Sequence, residues 1–341
     1  MKQSCVLGIF TLAAVLILFA GCDREVVTEV KTGAELSTCF TCHDDNELDL
    51  VAAQRQWEES THGSGANVNR NRLYSSRYES CEPCHTAEGF VASVTGVPAS
   101  GDHFTSIGCF TCHMPHTNGN LDVRVTGTVT LANGDIYDRG ASNLCARCHQ
   151  SRSDASTTVV DTLTLDSRFG PHHSNQADML EGRNAYEYAG YSYGSSAHTS
   201  TALNGCIDCH MSAAINEAVG GHSFNMRDEG HEIENLAGCN VAGCHTGSNT
   251  ITTFDRDGLQ EEMEALLSEL KEILTGADLL DEEGAPMADR VVTDADSSGA
   301  VYNLVFVEED RSLGIHNTEY AKGLLQSSIN FMTTGDPNGG K

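Results

Sequence analysis

The sequence is short of the residues that usually build a protein interior. Only 6% of its 341 residues are aromatic, one of them tryptophan, and 39% are hydrophobic. Positive charge is scarce too: 20 Lys and Arg face 48 Asp and Glu, a formal net charge of -28. Such a field repels phosphate backbones, which excludes a nucleic-acid surface and favours basic partners or cations. The 33 glycines, with many Ser, Thr, Asn and Asp residues, read as loop. Something other than side chains is therefore expected to fill much of the interior.

One long apolar run stands out, from Cys5 to Ala20, after a single lysine and before the small residues that precede Cys22. That is the order of an export signal, and about 16 apolar residues are few for a bilayer span. Phe19-Ala20-Gly21-Cys22 resembles the bacterial lipobox. The resemblance implies a lipoprotein signal peptide over residues 1–21 and lipidation of Cys22. It further implies a tether over 22–36 and membrane attachment outside the cytoplasm. Asp23 resembles an inner-membrane retention signal of enteric bacteria, but both the periplasmic face and the outer membrane or cell surface stay open.

With Cys5 in the signal and Cys22 in the lipobox, twelve of the 14 cysteines remain, and all fall in pairs followed at once by histidine. Five are tight: Cys39/Cys42/His43, Cys81/Cys84/His85, Cys109/Cys112/His113, Cys145/Cys148/His149 and Cys206/Cys209/His210. The sixth, Cys239/Cys244/His245, has four intervening residues instead of two. Two thiols at this spacing add to the two vinyl groups of a porphyrin edge, and the next residue ligates the iron. Four intervening residues make a looser loop that still reaches both vinyls. Zinc sites, thioredoxin-like pairs and disulfides give no reason for a histidine after every second cysteine.

On these motifs the chain resembles the multihaem c-type cytochromes, in particular a hexahaem member, from Cys39 to His245 with a further element at His316. The resemblance implies six haem c groups and electron transfer in anaerobic or extracellular respiration of the cell envelope. Partners would be other cytochromes or a quinol-linked donor. The segment ending in His316-Asn317 is similar to the C-terminal part of the pentahaem nitrite reductase and hydroxylamine oxidoreductase group. No cysteine pair here is followed by lysine, so that group's active-site motif is absent. A reductase of nitrogen or sulfur oxyanions with one open haem, and a subunit of a polymerising filament, are the alternative readings.

Nine histidines lie outside the motifs, more than six irons need on their second faces. A haem with histidine on both faces passes electrons, whereas catalysis at iron needs an open position. His62, His103, His116, His198, His222 and His316 sit in settings that suit distal ligands. Of His172 and His173, one is expected to ligate and the other to bond a propionate; His231 has the weakest case. Met114 and Met211, directly after motif histidines, read as gap-filling side chains.

The motifs have no fixed period, which argues against a solenoid. Six haems within Cys39–His245 leave about 35 residues each, too few for separate cores, so a joint haem-dominated core over residues 37–250 is expected. The rest is expected to be mainly α and irregular. One small β-hairpin is predicted over Val123–Asp138, with a type I′ turn at Asn133-Gly134. The run of Tyr186, Tyr188, Tyr191 and Tyr193, beside Arg183, reads as packing against haem edges or a partner more readily than as a substrate pocket. A C-terminal helical segment over 251–341 is expected to supply a distal histidine, with helices over Leu259–Leu274 and Thr318–Met332. Asn317 would cap the second helix. Asp294–Gly299 reads as a turn, since Val305 stands where a calcium loop needs Glu.

Overall fold

The computed structural model describes residues 43, 46–65, 81–99 and 104–340. The signal segment, Cys22, the tether, Cys39, Cys42 and His103 lie outside them. Six helices of six or more residues appear among the described residues. These are α1 (Leu48–Glu58), α2 (Ala87–Thr95), α3 (Gln176–Glu181), α4 (Leu259–Gly276), α5 (Ala295–Asp310) and α6 (Thr318–Thr334). None is long and apolar enough to cross a membrane. Most of the remaining described chain is irregular or forms single helical turns, a mainly α and irregular architecture.

Three two-stranded antiparallel ladders complete it, two more than predicted. β1 (Val129–Thr130) pairs with β2 (Ile136–Tyr137), β3 (Leu163–Thr164) with β6 (Val291–Val292), and β4 (Arg227–Asp228) with β5 (Ile233–Glu234). The β1–β2 turn falls where expected but is of another kind. Gly134 has φ 88° while Asn133 has no positive φ, and Leu131 bonds both Gly134 and Asp135. This is a type I turn closed by a left-handed glycine, not type I′, which needs positive φ at both central positions.

The C-terminal helices build the largest side-chain core. Along α4, Met263, Leu270 and Leu274 are fully buried, at the spacing of one helix face. They meet Tyr302, Leu304 and Phe306 of α5 and Tyr320, Leu324 and Leu325 of α6. Leu165, Phe169 and Met179 join the same cluster, so the core draws on both sides of residue 250. Each such side chain stabilises the fold by roughly 1.5–3 kcal/mol relative to exposure. Ion pairs at the rim, Lys271 with Glu308 at 2.8 Å and Lys322 with Glu262 at 2.5 Å, tie α4 to its neighbours.

Helix α5 corrects the reading of Asp294–Gly299 as a turn. Asp294 is its N-cap, accepting a bond of 2.7 Å from the Ser297 amide, and the helix continues through the apolar run to Asp310. Ten of its 16 residues are buried, so it lacks the polar stripe by which a surface helix is recognised. The tyrosine run is placed by this same core and by α5 and α6. Tyr186 and Tyr188 donate to Asp296 Oδ1 and the Asp296 carbonyl, and Tyr193 Oη bonds Ser327. Arg183 instead pairs with Asp135 at 3.0 Å. The tyrosines thus pack against the C-terminal helices of the same chain.

Candidate functional site

The cysteine motifs form single helical turns or tight loops with one recurring bond. The motif histidine amide donates to the carbonyl of the first cysteine: His85 to Cys81 at 3.1 Å, His113 to Cys109 at 2.9 Å, His149 to Cys145 at 2.9 Å. The wider sixth motif keeps it, with His245 donating to Cys239 at 3.0 Å. The two extra residues thus bulge outward while His245 returns to the same place relative to Cys239. Asn240 fixes the bulge through paired bonds of 3.0 Å with the backbone of Ile251.

Cys244 is exposed, whereas the other nine described motif cysteines are half-buried. Val241, Ala242, Gly243 and Cys244 stand together in solvent, while Cys239, Asn240 and His245 stay half-buried. The second thiol of this site therefore has less protein around it than its counterparts. None of the described motif cysteines forms a disulfide, Cys244 included.

Opposite each motif histidine stands a second histidine. The ring centroids are 6.4 Å apart for His43 and His116, 6.3 Å for His85 and His172, and 6.3 Å for His113 and His222. They are 6.1 Å apart for His149 and His62, and 6.2 Å for both His210 with His316 and His245 with His198. The planes cross at angles from 10° to 77°. Ring stacking would not hold the spacing constant over such a range of angles. One metal ion between two imidazoles would: two bonds of about 2 Å and two ring radii of about 1 Å set centroids about 6 Å apart. Among the described residues no three His, Cys, Asp or Glu side chains converge on a common point. The histidines therefore offer ligands two at a time, the number a porphyrin leaves open, and so fit haem.

The rings are also oriented from behind. His113 Nδ1 bonds the Leu121 carbonyl at 2.6 Å, His198 that of Ile315 at 2.6 Å, and His210 that of Phe224 at 2.9 Å. His149 faces the Gln176 side-chain carbonyl at 3.2 Å, and His172 the Ser174 hydroxyl at 3.1 Å. Such partners fix the tautomer and aim the other nitrogen at a metal. Burial keeps several rings neutral with a lone pair available. It lowers His62 to about 4, helped by His149, and His172 to about 4, helped by His173. Burial also lowers His85, His210, His222 and His245. For His316 burial acts in the same sense, but the Asp310 carboxylate outweighs it and the pKa rises.

Of the sequence-predicted distal residues, His62, His116, His198, His222 and His316 each face a motif histidine. His103 lies outside the described residues, and the partner of His85 is His172. His172 has φ 78°, a backbone conformation uncommon for a residue with a Cβ and characteristic of positions where a side chain is held for a purpose. His173 pairs with Glu309 at 2.6 Å and His231 with Asp228 at 2.7 Å; both rings are exposed, at 67% and 77%. Met211 is exposed as well.

The motifs also touch one another. The Cys84 thiol points at the Arg147 carbonyl and the Cys148 thiol at that of Pro83, each at 3.8 Å, and the free thiols of Cys145 and Cys206 lie within hydrogen-bonding reach of each other. Gly238, just before Cys239, lies against the backbone of Asp208 and Cys209, where a Cβ would come within 2.5 Å of a carbonyl. Phe224, at φ 59°, sits edge-on to His62 at 5.2 Å and His222 at 6.1 Å. Asn317 bridges the two last distal positions, accepting from the Ser196 amide at 2.8 Å and donating to Ser195 and Thr199 while capping α6. Asp310, Asn317 and Phe224 were not legible as site residues from sequence. Only the His-Asn dipeptide before a helix pointed toward one of them.

No family model matches the chain. It is 23% identical to the C-type polyheme cytochrome OmcB of Geobacter sulfurreducens over 89% of its own length and 48% of that protein's. It is 24% identical to OmcC of the same organism, over 75% of this chain and 43% of the relative. The chain thus spans about half the length of these relatives. Among solved structures it superposes on the outer cell wall cytochrome OcwA with a TM-score of 0.51 and 17% identity, covering 81% of this chain and 49% of that one. By sequence the chain is related to polyhaem c-type cytochromes, and it shares its fold with a solved cytochrome.

Proposed function

We propose that the chain is an electron-transfer protein carrying six covalent haem c groups, each held by histidine on both faces. One observation carries this: six motif histidines each lie 6.1–6.4 Å from a second histidine. When bound, haem supplies one-electron iron chemistry at a potential set by its ligands and surroundings. The chain's own part is attachment through Cys39/Cys42, Cys81/Cys84, Cys109/Cys112, Cys145/Cys148, Cys206/Cys209 and Cys239/Cys244. It would also supply the histidine pairs that hold the iron and leave it no position for substrate. The contacts between motifs two and four, four and five, and five and six bring attachment points together, as rapid transfer requires.

Because every motif histidine has a partner in the same chain, neither an open catalytic position nor a histidine lent by a second subunit is needed. This favours a conduit over a reductase or a filament subunit. The acidic surface suits basic redox partners, such as other cytochromes or a quinol-linked donor. Cys22 would anchor the chain by lipid in the cell envelope, in keeping with its likeness to an outer cell wall cytochrome. The test is the oxidised holoprotein: intact mass is expected to give six haems, and electron paramagnetic resonance only low-spin iron. Fewer haems, or a high-spin signal worth one haem, overturns the reading.

A further inference from the structure

The partners behind the axial histidines are mostly neutral, with two carboxylates among them. Glu47 approaches His43 Nδ1 at 2.8 Å but is 47% exposed, so water screens it. Asp310 approaches His316 Nδ1 at 2.6 Å and is 1% exposed. It is the last residue of α5, where the helix dipole disfavours an anion. Among the described residues no Lys or Arg pairs with it; Ser312 donates to its other oxygen and also receives the His316 amide. A buried carboxylate in that place is costly on its own account, and His316 is the group that gains.

We propose that Asp310 makes the haem site of Cys206, Cys209, His210 and His316 the most reducing in the chain. The inference rests on the paired-histidine reading above. A carboxylate accepting from Nδ1 draws the ring toward imidazolate, a stronger donor that stabilises ferric iron, and its unscreened charge acts in the same direction. The adjoining Cys239/Cys244 site is biased the other way. There Arg256 Nη1 lies 3.1 Å from His245 Nδ1, although Asp257 at 3.3 Å and solvent reduce its effect. Two neighbouring sites therefore carry opposite buried and half-exposed charges, and a potential step falls between them.

The test is a spectroelectrochemical titration of the holoprotein, resolved into components. His316→Met replaces the ligand and identifies the component belonging to this site. Asp310→Asn is expected to move that same component, the lowest in the wild type, upward and to change its low-spin resonance; Asp310→Glu restores both. Ser312→Ala leaves the carboxylate in place with one bond fewer, and the component is expected to fall further. The inference fails if Asp310→Asn leaves the lowest component unmoved or moves a different one. If that variant does not accumulate, an unchanged or raised component in Ser312→Ala overturns it. No altered component in His316→Met would overturn the paired-histidine reading itself.

Discussion

The motif-bearing stretch up to His245 and the helices after Leu259 are held together differently. In the first, helices are mostly single turns, buried apolar side chains are more thinly spread along the chain, and many of the ordered contacts involve cysteine and histidine. In the second, three helices of 16 to 18 residues interlock through Leu, Tyr and Phe. The lesson is a division of labour. Side chains form a dense scaffold in the C-terminal helices, and the stretch with sparser apolar burial is arranged around histidine pairs. The two are joined at Asp310, His316 and Asn317, where the scaffold reaches into the site.

The largest expected effect breaks the first region while sparing the second. A chain produced without haem attachment is expected to lose slow amide exchange across residues 81–99, 104–149 and 206–258 and to keep it in α4, α5 and α6. Uniform exchange in both would erase the distinction. The converse is Leu324→Ala, which should destabilise by about 2–5 kcal/mol in denaturant titrations while leaving the haem spectrum unchanged.

Ligand substitutions sharpen the comparison further. His172→Ala is expected to turn one haem high-spin, whereas His173→Ala leaves every haem low-spin; equal spectra for the two would contradict the pairing of His85 with His172. Asn317→Ala removes an N-cap worth about 1 kcal/mol and frees the loop of His198, so stability should fall and two haem signals should change together. The smallest effect belongs to the surface: Lys271→Ala should cost no more than about 1 kcal/mol and shift no haem.

The cysteine and histidine arithmetic was legible because covalent attachment demands fixed spacing. The wider motif keeps the backbone bond between His245 and Cys239, but the exposure of Cys244 was not legible, since spacing does not say which way a bulge points. Helix α4 was legible from one-sided apolar periodicity, and the start of α6 from its Asn317 cap. Helix α5 was not, since burial on all sides removes the polar face that marks a period. The choice of His172 over its neighbour was equally hidden, because adjacent residues have the same chemistry and differ only in where the backbone turns them.

The sequence by itself determined how many thiol pairs exist, which histidine follows each, and that the chain is acidic and poor in core-forming residues. Tertiary structure alone decided which distant histidine meets which motif, and which of them is backed by a buried carboxylate. Attachment is a local property of five to seven residues. Pairing across tens or a hundred residues depends on how the intervening chain and the C-terminal helices pack.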